Sequence, residues 1–244
     1  MPPPFQDLDL GEFVHLLRRF PFERAVTALH LHHSWRPRTC DWRGHRSLRA
    51  MYSMHTLQHG WSDIAHHLAI APDGVIWTGR DWNRPPCSVP GMNGDRKAGP
   101  FMIVLIGDFN RSADTLAGTQ YERLLRVVAW MRRLGRERAL FDVPDDAIRF
   151  HAELSGARGL SCPGDTIDRA RLLADLAAAL AAPDDVPPSR SGATPFGEDA
   201  ESWFEFIGLC AANDTLIDEP RNTPSEYTEM TLAPAPGGTS PPSP

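Results

Sequence analysis

The chain has 244 residues, 41% of them hydrophobic and 23% charged, with a net charge of −6. That length supports one good-sized core with some chain to spare, and no apolar run is long enough to span a bilayer. Lys97 is the sole lysine, and no arginine-rich block interleaved with aromatics occurs, so no nucleic-acid partner is expected. The start, Met1-Pro2-Pro3-Pro4-Phe5, lacks the charged-then-apolar pattern of a secretory signal. Together with four cysteines in no framework pattern, this points to a cytoplasmic protein as synthesised, with non-classical release as the other route.

Residues 1–24 form a helical segment in which Phe13, Leu16, Leu17 and Phe20 follow the spacing of one helix face. Ala25 to Leu31 reads as a strand that delivers His32 at its end. Residues 46–58 are predicted helical, with Leu48, Met51, Tyr52, Met54 and His55 to one side. Strands His66 to Ala71 and Val75 to Gly79 follow, joined at Pro72-Asp73-Gly74, a hairpin signal. Met102 to Ile106 is continuously apolar and should be a buried strand. Gln120 to Leu134 is an amphipathic helix with Leu124, Val127, Val128, Met131 and Leu134 inward. After Phe150-His151 and the Cys162-Pro163-Gly164 turn, Asp168 to Ala182 forms the last helix.

Strands and helices mixed in this order predict an α/β (α+β) body over 25–182, a central mixed sheet flanked by helices. From Pro183 on, eleven Asp and Glu face only Arg190 and Arg221, a balance of −9 that leaves the preceding residues at +3. This Pro-rich acidic tail, 183–244, is expected to be largely disordered. One apolar segment, 202–210, interrupts it as a strip that docks on the body or binds a protein partner.

The chemistry is carried by histidines and one cysteine. His151, Cys162 and one of His30, His32 and His33 make two imidazoles and a thiolate, a zinc donor set with a fourth corner open. No cysteine lies in a CxxC pair, which argues against a closed structural site. In a strand His30 and His32 share a face and His33 takes the other.

These residues carry a resemblance. Gly60-Trp61-Ser62-Asp63-Ile64-Ala65-His66-His67, then Asp73-Gly74-Val75-Ile76-Trp77-Thr78-Gly79-Arg80, resembles the type 2 N-acetylmuramoyl-L-alanine amidases and peptidoglycan recognition proteins, the phage T7-lysozyme type. His32-His33-Ser34, Gly91-Met92-Asn93, Ile103-Val104-Leu105-Ile106-Gly107-Asp108 and His151…Cys162-Pro163-Gly164 continue it over roughly residues 25–180. The resemblance implies the amidase/peptidoglycan-recognition fold and one Zn2+ held by His32, His151 and Cys162. It also implies hydrolysis of the amide between N-acetylmuramic acid and L-alanine in peptidoglycan or muropeptides.

The family's usual Tyr, or in some members Glu, is replaced by His66, which becomes the candidate second catalytic group, an imidazole able to act as acid or base. Ser88 stands where the family often has His, and Leu160 where many amidases place Lys or Thr, leaving Ser161 to compensate. These three departures favour the alternative, a recognition module that binds muramyl peptide without cleaving it. His33, Trp35, Arg80 and Asn93 are expected to line the substrate groove, Arg80 facing a peptide carboxylate or else a surface or fold-stabilising partner, and Asn93 facing its own loop or the substrate. Trp82 is placed to stack on sugar or peptide, and Trp61 is expected in the core.

Overall fold

The computed structural model describes residues 5–154, 160–183 and 188. In chain order the elements are β1 (Asp7–Leu8), α1 (Leu10–Arg19), β2 (Ala25–His33), α2 (His45–Ser53), β3 (Leu68–Ile70), β4 (Ile76–Thr78), β5 (Ala98–Leu105), α3 (Gly118–Glu137), β6 (Ile148–Phe150) and α4 (Arg169–Ala181). The strands make one mixed sheet in the order β1-β4-β3-β5-β2-β6. β1/β4 and β4/β3 pair antiparallel, and β3/β5, β5/β2 and β2/β6 pair parallel. The mixed sheet flanked by helices is the architecture expected from the sequence.

The two faces follow from period-2 alternation along the strands. Leu29 and Leu31 of β2, with Phe101, Ile103 and Leu105 of β5, enter the main core beneath α1, α3 and α4. Val104 and Ile106 point the other way and join Leu48 and Met51 of α2 in a second, smaller core. His30 and His32 share the phase of Val104, through the pairs His30↔Met102 and His32↔Val104.

The N-terminal segment is built into this body. Asp9 caps α1, accepting from the Glu12 amide at 2.8 Å while Glu12 accepts from the Asp9 amide, a reciprocal capping box. Phe13, Leu16, Leu17 and Phe20 are buried in the main core, and β1, which the sequence reading does not anticipate, extends the sheet at β4.

The helix expected over 46–58 changes its winding. α2 ends at Ser53 and continues as a π-helical turn over Met54–Gln58. Thr56 Oγ1 donates to the Tyr52 carbonyl at 2.9 Å, a side-chain bond that competes with the regular backbone ladder. β3 and β4 are shorter than expected, yet the Gly79 and Arg80 amides still donate to the His67 and His66 carbonyls at 2.8 Å. The acidic tail, its 202–210 segment and Cys210 lie outside the described residues, apart from Pro183 and Pro188.

Candidate metal centre

Leu31 pairs with Phe150 across the parallel β2/β6 ladder, so the residues that follow them, His32 within β2 and His151 just past β6, emerge side by side. Their ring centroids are 4.4 Å apart. Cys162 arrives from the turn before α4, where the Ala152 amide donates to its carbonyl at 2.8 Å and ties the two loops together. The potential ligand atoms of His32, His151 and Cys162 all lie within 4.8 Å of one another. The carboxyl ends of adjacent parallel strands are where open α/β sheets form their sites.

The turn holding Cys162 is tightly built. Gly164 has φ of 132°, and a Cβ there would meet the Phe109 carbonyl oxygen at 2.3 Å. The same Phe109 carbonyl accepts from Thr166 Oγ1 at 2.6 Å. Only glycine allows the two backbones so close.

Cys162 Sγ is 3.6 Å from His32 Nδ1, and the His33 amide donates to the same sulfur at 3.4 Å. The other nitrogen of His32, Nε2, lies 2.6 Å from Ser88 Oγ, and that hydroxyl is also 3.0 Å from His30 Nδ1. Ser88 is held by Asn93, whose Oδ1 accepts from the Ser88 and Val89 amides at 2.8 and 3.0 Å. Arg24 fixes that loop in turn, donating to the carbonyls of Asn93, Asp95 and Pro100 at 2.9, 2.7 and 3.0 Å.

Burial dominates the electrostatics of the cluster. It pushes the His30 and His151 imidazoles down to about 4 and His32 well below its ordinary value, with neighbouring histidines adding to the effect. It pushes the Cys162 thiol up to about 12, against the smaller opposing pull of the His33 amide. Among the described residues no carboxylate joins the group. Two neutral imidazoles and a thiol thus converge with nothing positive between them, and the donor set fits a borderline-soft divalent cation such as zinc. A cation would also supply the charge that a coordinating thiolate needs.

The remaining expected site residues divide. His66 is 1% exposed, its Nε2 has no hydrogen-bond partner, and burial pushes its basicity well below the ordinary value. It is close enough to His32 to contribute to lowering that residue's basicity. His33 turns to the opposite side of β2, where its Nδ1 accepts from the Phe109 amide at 3.3 Å. Trp35 is half-buried with φ of 54°, its amide donating to the Gly107 carbonyl.

Three expectations need correction. Arg80 is 5% exposed and holds the carbonyls of Ile64, Asp63 and Pro85 together with Cys87 Sγ, so its guanidinium is engaged within the fold rather than facing a peptide. Trp82 is core, packed on Phe13, Phe20 and Phe22. Trp61 is half-buried and stacks on His59 at 4.9 Å, outside both cores. Asn93 takes the loop-holding role of its two expected ones. Ser161, considered as a replacement for the polar group missing at Leu160, donates to Asn110 Oδ1 at 2.6 Å.

No protein-family profile matches the chain. Peptidoglycan-recognition protein LB of Drosophila melanogaster is 40% identical over 90 residues, which cover 36% of this chain and 37% of that protein. N-acetylmuramoyl-L-alanine amidase of Sus scrofa is 27% identical over 150 residues, 60% of this chain and 23% of that one. Over these stretches the chain is similar to the peptidoglycan-recognition proteins and N-acetylmuramoyl-L-alanine amidases. It spans about a quarter to a third of the length of these curated relatives. Among solved structures, wild-type Drosophila PGRP-LB aligns with a TM-score of 0.47 and 28% identity, covering 64% of this chain and 82% of that one. The endolysin amidase LysCS from Clostridium intestinale aligns with a TM-score of 0.45 and 22% identity, covering 70% and 89%.

Against this peptidoglycan-recognition and amidase background, the sequence offers His30 as a possible ligand and Ser88 as a departure, but not their shared contact with His32. Strand alternation already put His30 on the face of His32, which was the available signal. The signal at Ser88 was its departure from the family's His, while only the fold brings its loop across to β2.

Proposed function

We infer that this protein is a zinc-dependent hydrolase of the amide between N-acetylmuramic acid and L-alanine, acting on peptidoglycan or its muropeptide fragments. The convergence of His32, His151 and Cys162, with no fourth protein donor in the group among the described residues, carries this reading. Three protein ligands and an open position are the pattern of catalytic rather than structural zinc. The similarity to N-acetylmuramoyl-L-alanine amidases supports the reaction, and a PGRP-LB mutant in complex with tracheal cytotoxin supports the substrate class.

Zinc in this donor set supplies polarisation of the scissile carbonyl and an activated water at neutral pH. The chain's own part is to hold neutral donors in place and to move a proton. His66, kept neutral by burial and with Nε2 unpartnered, is the group assigned to that proton, taking it up and passing it to the leaving amine. Its burial shields the transfer from bulk water.

A muramyl-peptide recognition module is the second reading. It is favoured by the depth of His66 and by Leu160, 37% exposed where many amidases carry a polar side chain. His66→Ala separates the two. In an amidase it lowers kcat by about 10²–10⁴-fold while the Kd for a muramyl peptide stays within about threefold. Binding by the wild-type protein with no turnover to lose would establish the recognition module instead.

A further inference from the structure

We propose that Ser88 and His30 are positioning residues that fix the tautomer of His32, so that its Nδ1 is presented to the metal as a bare lone pair. The assignment rests on the metal-binding reading above and deepens it.

A neutral imidazole has one N–H and one lone pair, and a metal takes the nitrogen without the proton. Nδ1 of His32 faces Cys162 Sγ and Nε2 faces Ser88 Oγ, at 3.6 and 2.6 Å. A competent ligand therefore carries its proton on Nε2 and donates it to Ser88. The Ser88 hydroxyl then has one hydrogen left to give, and His30 Nδ1 stands 3.0 Å away to accept it. The chain runs His32 Nε2–H to Ser88 Oγ–H to His30 Nδ1. Run in reverse, it would put the proton on Nδ1 of His32 and block coordination.

The three residues are 5%, 2% and 3% exposed, so water competes little for these bonds. The hydroxyl is placed by its backbone, since Asn93 holds the Ser88 and Val89 amides and Arg24 holds the Asn93 carbonyl. β2 supplies the other end, because alternation puts His30 two residues from His32 on one face. Nothing in catalysis as described above uses His30 or Ser88, yet both lie buried against a metal ligand. A partner to the non-coordinating ring N–H is what metal-bound histidines generally need.

The test has two readouts on the full-length chain. In ¹⁵N-histidine spectra of the metal-free wild type at neutral pH, His32 is expected as the Nε2–H tautomer. In competition with a zinc-binding dye, Ser88→Ala is expected to weaken zinc affinity about 10–100-fold, and Ser88→Thr to restore most of it. Should Ser88→Ala not fold, His30→Leu keeps the hydroxyl, removes its acceptor, and is expected to weaken zinc severalfold and to populate the Nδ1–H form of His32. A wild-type Nδ1–H tautomer, or zinc affinity unchanged within twofold in every foldable variant, overturns the proposal. A wild-type protein that binds no zinc overturns the metal reading itself, while the spectra still decide the direction of the hydrogen-bond chain.

Discussion

His67 shows how much one buried side chain can dictate. Its Nδ1 accepts from the Met102 amide at 2.8 Å, which leaves the proton on Nε2, donated to the Arg84 carbonyl at 2.9 Å. The ring stacks on Phe101 at 4.4 Å. A second proton has no place to go, and burial, aided by the Arg24 and Arg80 charges, pushes the group down to about 3. The folded value is below the unfolded one, so between about pH 3 and 6.5 the unfolded chain binds a proton that the folded chain refuses. Stability is thus full above about pH 6.5 and declines as pH falls, by at most about 1.4 kcal/mol per unit from this residue. His55, pushed down to about 4 by burial, acts in the same direction. Urea unfolding of the metal-free protein from pH 7.5 to 4.5 should show this decline, and His67→Gln should flatten it. An equal slope in both proteins would remove His67 from the account. None of this was legible beforehand, because a His-His pair in sequence does not say that His67 bonds to a neighbouring strand.

At the scale of elements, the loop between β4 and β5 is what separates a row of donors from an organised centre. Arg24, 1% exposed, holds three carbonyls of this loop and the start of β5. Gly99 leaves room for it, since a Cβ there would meet Arg24 Nη2 at 2.1 Å. Arg24→Met keeps the apolar stem but strands the carbonyls, and should lower the stability to urea by about 3 kcal/mol, near 1 for each stranded acceptor. A loss below about 0.5 kcal/mol would show that water replaces the guanidinium. Strands β2 to β5 and the long helices were legible in the sequence, the apolar run of β5 and the inward row of α3 needing no tertiary information, whereas the short edge strands β1 and β6 were not. The loop was not legible, because its hydrogen bonds join residues some 70 positions apart. Arg80 was misread although its partners lie only 5 to 17 positions away, because they are backbone carbonyls that no residue type announces. A cation beside aromatic and polar residues suggests a ligand contact in sequence, whereas the fold surrounds it with carbonyls.

Across the whole molecule, topology assembles the donors. His32 and Cys162 are 130 residues apart, and parallel pairing of β2 with β6 brings the end of the first strand to the loops of the second. Both faces of the sheet are covered, with His30 and His32 on the α2 side in phase with Val104 and α1, α3 and α4 over the main core on the other. The donor set was readable because the order and spacing of its motifs resemble a family. Its hydrogen-bonded support was not, because the departure at Ser88 and the extra histidine at His30 do not say that one hydroxyl links His30 to His32. No described helix is long and apolar enough to cross a membrane. Mass spectrometry of a muramyl-peptide digest, run with chelator, without chelator and with zinc restored, decides whether this chain is a metal-dependent amide hydrolase. Metal-dependent hydrolysis predicts a free peptide beginning at L-alanine that vanishes with chelator and returns with zinc. Intact muramyl peptide from protein carrying one zinc per chain would contradict it.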